Sequence, residues 1–66
     1  MKLTLNGEAR ELESCASVCD LLSALQLKEK LVLVEINGQA IQRNDFQSAK
    51  LADGDSVEIV RMVGGG

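Results

Sequence analysis

Apolar and polar positions alternate from the start of the chain. Leu3 and Leu5 are separated by Thr4 and preceded by Lys2, the period of two that marks a strand with one buried face. Asn6-Gly7 follows. Both residue types tolerate positive φ, which a two-residue hairpin turn demands, so a second strand is predicted from about Glu8 to Leu12. The period then changes. Ser17 suits a helix N-cap, and Asp20 lies near the positive end of the helix dipole. Val18, Leu21, Leu22 and Leu25 fall at i, i+3, i+4 and i+7, which gives the helix one apolar face. Its end is predicted near Gln26 or Leu27.

Leu31 to Ile36 is a dense apolar run, long enough for a strand and too short for a typical helix. Asn37-Gly38 turns the chain again. Arg43 to Ala49 is read as a short helical turn with Phe46 pointing inward. Asp53-Gly54-Asp55 reads as a tight turn. The last strand is predicted over Ser56 to Val63, and only glycine follows.

One amphipathic helix must bury its stripe against a sheet, and four strands are available to make one. The predicted fold is α+β: a ubiquitin-like β-grasp, with a mixed four-stranded sheet and one main helix packed on one face. The first and last strands would pair in parallel at its centre. The expected division is a β-grasp domain over 1–63 and a flexible C-terminal glycine tail over 64–66.

Composition narrows the function. The 66 residues suffice for one domain, and a domain this small buries only about 60% of its unfolded surface. Histidine, proline, tryptophan and tyrosine are absent, and Phe46 is the only aromatic. Little room remains for a substrate pocket beside the core. The net charge is −3, and no basic stripe suggests nucleic acid. The acidity suits a partner with a basic surface. No apolar run approaches the roughly 20 residues that span a bilayer. The N-terminus meets Asn6-Gly7 too soon for a signal segment. A cytoplasmic location without membrane contact is the expectation.

Nothing here supplies catalysis. The chain has no P-loop pattern, and without histidine no Ser-His-Asp or Cys-His set can form. Glu8, Glu11 and Glu13 read as solvated surface charge. Cys15 and Cys19, alone and without histidine, make a poor metal site. They are expected to be reduced thiols, one or both buried as small apolar groups. A redox role is the minority alternative.

Gly64-Gly65-Gly66 is the most informative feature. Glycine loses the most backbone entropy on ordering and has no side chain to pack, so three of them add nothing to stability. They supply a thin tether ending in a carboxylate. At about 3.3 Å per residue it reaches roughly 10 Å past the last strand, and it can thread a channel too narrow for any Cβ. A carboxylate is a poor electrophile until its oxygen attacks the α-phosphate of ATP. The resulting acyl adenylate has AMP as leaving group, and a sulfur nucleophile can displace it to leave a thiocarboxylate. Ionised sulfur is the reactive nucleophile. A frayed terminus is the plain alternative.

The segment from Leu51 through Asp53-Gly54-Asp55 and Val57-Glu58-Ile59-Val60 to Gly64-Gly65-Gly66 resembles the end of the sulfur carrier proteins of thiamine biosynthesis. The opening strand with Asn6-Gly7, the Asn37-Gly38 pair after an apolar strand, and Arg43 followed by Phe46 also resemble that family, so the likeness covers the whole chain. Gln42 stands where many relatives have proline, and the terminal run is three glycines rather than two. The resemblance implies that the Gly66 carboxylate is the site of adenylation and of the thiocarboxylate, with Gly64 and Gly65 threading into a partner. It implies an adenylating, E1-like enzyme that uses ATP and Mg²⁺, a cysteine desulfurase or other sulfur donor, and thiazole synthase as acceptor. The chain itself would bind no cofactor and no metal. Rival readings are the small subunit of molybdopterin synthase, a ubiquitin-like modifier, and a regulatory β-grasp domain that does no chemistry.

Strand alternation also predicts a docking surface. Val57 and Ile59 should face the core, which turns Ser56, Glu58, Val60 and Met62 outward. With Val32, Val34 and Ile36 inward, Leu33 shares the outer face. Leu33, Val60 and Met62 are predicted to form a modest apolar patch beside the root of the tail, of the kind that marks interfaces. Scattered surface apolar groups are the plain alternative.

Overall fold

Two Asn-Gly pairs set the two hairpins. Asn6 and Asn37 sit at φ 50° and 51°, and Gly7 and Gly38 at 83° and 85°. Left-handed geometry at both central positions is what a type I′ turn requires. The first turn joins β1 (Lys2–Leu5) to β2 (Glu8–Glu11), antiparallel, with Leu5 opposite Glu8. The second joins β3 (Val32–Ile36) to β4 (Gln39–Ile41), with Ile36 opposite Gln39. The computed structural model describes residues 1–13 and 15–62. Val63, assigned above to the last strand, and the tail Gly64, Gly65 and Gly66 lie outside the described residues.

The sheet has five strands in the order β2-β1-β5-β3-β4, where β5 is Ser56–Arg61. The fold class stands as predicted, a mixed sheet with one main helix, but the strand count is corrected from four to five. The added strand, β4, is three residues long and pairs only with β3. β5 is central, parallel to β1 and antiparallel to β3, so Arg61 ends a strand in the middle of the sheet.

The helix α1 (Val18–Ala24) starts where its sequence says. The Ser17 Oγ accepts from the Asp20 N–H at 3.2 Å, and an Asp20 carboxylate oxygen accepts from the Ala16 N–H at 3.1 Å. It ends two or three residues earlier than expected. The Leu27 N–H donates to the Leu22 carbonyl and the Gln26 N–H to that of Ser23, at 2.9 and 3.1 Å, with Gln26 at φ 59°. This is a Schellman closure, with glutamine in the left-handed position that glycine usually takes. A 3₁₀ turn over Glu29–Leu31 then leads into β3, one residue later than the apolar run suggests.

The core lies between the sheet and α1. Val18, Leu21 and Leu22 from the helix meet Leu3, Leu5, Val32, Val34, Val57 and Ile59 from the strands. Phe46, just past a 3₁₀ turn at Arg43–Asp45, is 2% exposed, as its inward orientation requires. Its segment is tied to the helix start. The Val18 N–H donates to the Ala49 carbonyl, the Cys19 N–H to that of Phe46, and the Leu51 N–H to that of Ala16, all at 3.0 Å. Cys15 is buried in this core, and Cys19 is half-buried against it, both as free thiols.

Candidate functional site

β5 is the last described element before the glycines in the sequence, so its neighbours and outward face form the candidate site. The inward residues Val57 and Ile59 are buried, which leaves Ser56, Glu58 and Val60 on the outer face. Val60 stands directly opposite Leu33 in the β3–β5 ladder. The expected patch is exposed as predicted: Leu33 is 57% exposed, Val60 56% and Met62 42%. No bulge interrupts the pairing from Val32–Arg61 to Ile36–Val57.

Leu31 belongs with these three and was not foreseen. It is 51% exposed, and its carbonyl accepts from the Met62 N–H at 2.8 Å. The alternation that buries Val32 and Val34 carries back to Leu31 as readily as forward to Leu33, so the signal was present in the sequence. These four are all the large apolar side chains exposed among the described residues. They lie at the end of the sheet where β3 begins and β5 ends.

The next rung carries charge. Glu35 stands opposite Glu58, one on each strand and both exposed. Directly opposed like charges oppose sheet formation, and a cation from outside would offset their repulsion. The outer face is thus apolar toward the tail and acidic away from it.

The Gly-Asp turn before β5 anchors the start of the strand. Asp55 accepts from the Ala52 N–H at 2.9 Å and from the Asn37 side-chain amide at 3.1 Å. Asn37 in turn accepts from the Ser56 N–H at 3.0 Å. Asp53 accepts from the Lys2 N–H, and the Gly54 N–H donates to the Lys2 carbonyl, at 2.6 and 2.7 Å. The turn fastens β1, β5 and the β3–β4 hairpin at one corner, and the strand runs from there toward the tail.

Among the described residues, no group of three or more His, Cys, Asp or Glu could hold a metal ion, and no helix is long and apolar enough to cross a membrane. The depressions between α1 and the sheet are shallow. One of about 330 Å³ lies among Leu27, Lys28, Leu31, Arg61 and Met62, at the tail end of the sheet. The expected site residues Gly64, Gly65 and Gly66 lie outside the described residues.

Comparison with known proteins bears on both fold and site. A sequence model of the ThiS family matches residues 3–66. The sulfur carrier protein ThiS of Bacillus subtilis is 38% identical over 65 residues, 97% of this chain and 98% of its own length. A thiazole synthase of Paramagnetospirillum magneticum is 36% identical over all 66 residues, yet this chain spans only 20% of that protein. The crystal structure of the thiamine biosynthesis protein ThiS from Geobacter metallireducens superposes with a TM-score of 0.85 at 38% identity, covering both chains completely.

Proposed function

The chain belongs to the ThiS family, and on that premise we propose that it carries sulfur for thiamine biosynthesis on the carboxylate of Gly66. It is a carrier and not a catalyst. One observation supports the proposed site above the others: the family match runs to residue 66 and includes all three glycines.

The chemistry divides between the tail and its partners. The Gly66 carboxylate attacks the α-phosphate of ATP, forming an acyl adenylate and releasing pyrophosphate. An adenylating, E1-like enzyme of the cytoplasm holds the ATP and its Mg²⁺, which offset the charge that develops on the phosphates. Hydrosulfide attacks the acyl carbon; it is released when a thiol reduces the persulfide of a cysteine desulfurase, or is taken from another donor at the sulfide level. The C–O bond to AMP breaks, AMP leaves, and a proton is lost as –COS⁻ forms. Thiazole synthase then takes the sulfur. That a thiazole synthase contains a segment 36% identical to this chain supports it as the partner, since a fused carrier and acceptor share one tether.

The outer face supplies the docking surface. Leu31, Leu33, Val60 and Met62 meet an apolar patch of the adenylating enzyme, and a basic side chain of that enzyme meets Glu35 and Glu58. Centrally placed apolar contacts carry most interface energy. The test is ATP–pyrophosphate exchange by the host's adenylating enzyme, which should depend on this chain. Val60→Asp should keep the fold, because the side chain is 56% exposed. It should raise the KM for the carrier about tenfold, or about 1.4 kcal/mol of lost binding. A folded Val60→Asp protein with unchanged KM removes the patch from the interface. Exchange that does not depend on the chain refutes the carrier reading.

A further inference from the structure

β5 does not have a strand partner along the whole of its β1 flank. β1 pairs with it only through Thr4–Ser56 and Leu5–Val57, because the chain turns away at Asn6-Gly7. The main-chain bonds on this side include those from the Thr4 N–H to the Asp55 carbonyl and from the Asn6 N–H to the Val57 carbonyl, both at 2.9 Å. Two residues further along, the next backbone groups facing this flank are those of Ile59. There the Asn6 side chain takes over from the missing strand. The Ile59 N–H donates to Asn6 Oδ1 at 2.8 Å, and Asn6 Nδ2 donates to the Ile59 carbonyl at 3.2 Å.

A primary amide carries a donor and an acceptor side by side, as the N–H and C=O of one extended residue do along a strand edge, so Asn6 adds one rung to the parallel ladder. Among the described residues it is the last rung on this flank. Past it, the flank opens into a depression lined by Leu5, Asn6, Leu25, Leu27, Ile59 and Arg61. Among the described residues, the strand beyond Ile59 is held from the β3 side, as by the bond from the Met62 N–H to the Leu31 carbonyl. The hairpin itself does not require this amide. A type I′ turn asks for a residue that accepts positive φ, and glycine or aspartate serves as well. Asn37, in the same turn geometry at φ 51°, reaches the other end of β5 at Ser56 and Asp55 instead.

We propose that Asn6 is a positioning residue for sulfur loading: its amide holds Ile59 and so fixes the direction in which Val60, Arg61 and Met62 lead into the tail. This rests on the reading that Gly66 is the group adenylated. Productive attack on a phosphate needs the carboxylate within a narrow range of distance and angle. A strand that swings at its root spreads the bound tail over many unproductive orientations. The outer face, which governs docking, is untouched by Asn6.

The test compares Asn6→Gly with Asn37→Gly. Both keep the turn and delete one side-chain amide. In adenylation by the host enzyme, Asn6→Gly is expected to lower kcat about tenfold with KM for the carrier within about twofold. Asn37→Gly should leave kcat unchanged. In the isolated proteins, Asn6→Gly should speed amide hydrogen exchange selectively at Ile59, Arg61 and Met62, relative to Val34 and Leu21. Asn6→Asp keeps the acceptor and loses the donor, and serves if the glycine variant does not fold. Equal kcat for the two glycine variants, or exchange that rises evenly over the whole domain, overturns the proposal. If the wild-type chain is not adenylated at all, the carrier reading fails, and selective exchange still decides whether Asn6 holds the strand.

Discussion

Deletion of Gly65 and Gly66 is expected to abolish thiocarboxylate formation while leaving the melting temperature within about 2 °C of the wild type. Among the described residues the buried core runs from Leu3 to Ile59. Glycine brings no side chain to pack and a large ordering cost, so its loss has little to remove. The reaction loses everything. A shortened tail withdraws the carboxylate by about 7 Å, at about 3.3–3.6 Å per residue, and displacement of a reacting atom by even 1 Å costs about a hundredfold. Adenylation should fall below detection in an ATP–pyrophosphate exchange assay, with circular dichroism unchanged. A deleted protein that still supports exchange would place the chemistry elsewhere in the chain.

The second large effect concerns stability. Phe46→Ala is expected to cost about 3–5 kcal/mol, the usual range for emptying a buried aromatic site. A domain of 66 residues has a total stability of about 3–10 kcal/mol, so the variant should be largely unfolded or close to it at 37 °C. Phe46 is 2% exposed and is the largest of the fully buried side chains. It also anchors the segment from Arg43 to Leu51, whose backbone bonds hold the start of α1. Urea unfolding should show the midpoint collapse toward zero denaturant. A loss under about 1 kcal/mol would mean that the segment repacks around the cavity and that Phe46 does not anchor it.

The sequence was most legible where a short-range physical rule has one solution. Ser17 followed by Asp20 started the helix, and the alternation through Val57 and Ile59 decided which side of β5 is buried. The exposure of Leu33, Val60 and Met62 followed from that period alone. Where the rule had a substitute, reading failed. The helix stops at Ala24 because Gln26 accepts φ 59°, and a glutamine gives no warning of a left-handed closure. β4 was missed although Asn37-Gly38 carries the same turn chemistry that revealed β2. Gln39, Ala40 and Ile41 are too few to show a period, and one antiparallel neighbour is enough to make them a strand.

Long-range polar contacts were not legible at all. Asn6 and Ile59 are 53 positions apart, and nothing local to either suggests the pair. The same holds for Asn37 and Asp55. Only the sheet order brings them together. Gly66, in contrast, was singled out by composition and resemblance, before any geometry. Its importance in this account is chemical, a terminal carboxylate on a thin tether, and needs no packed surroundings.

Whether Gly66 carries sulfur is read from the intact mass of the protein purified from its own host under gentle, reducing conditions. Sulfur carriage gives a fraction heavier by one oxygen-to-sulfur exchange, located by fragmentation on the C-terminal peptide. An unmodified mass that persists after incubation with ATP, Mg²⁺, a sulfur source and the host's adenylating enzyme would contradict it.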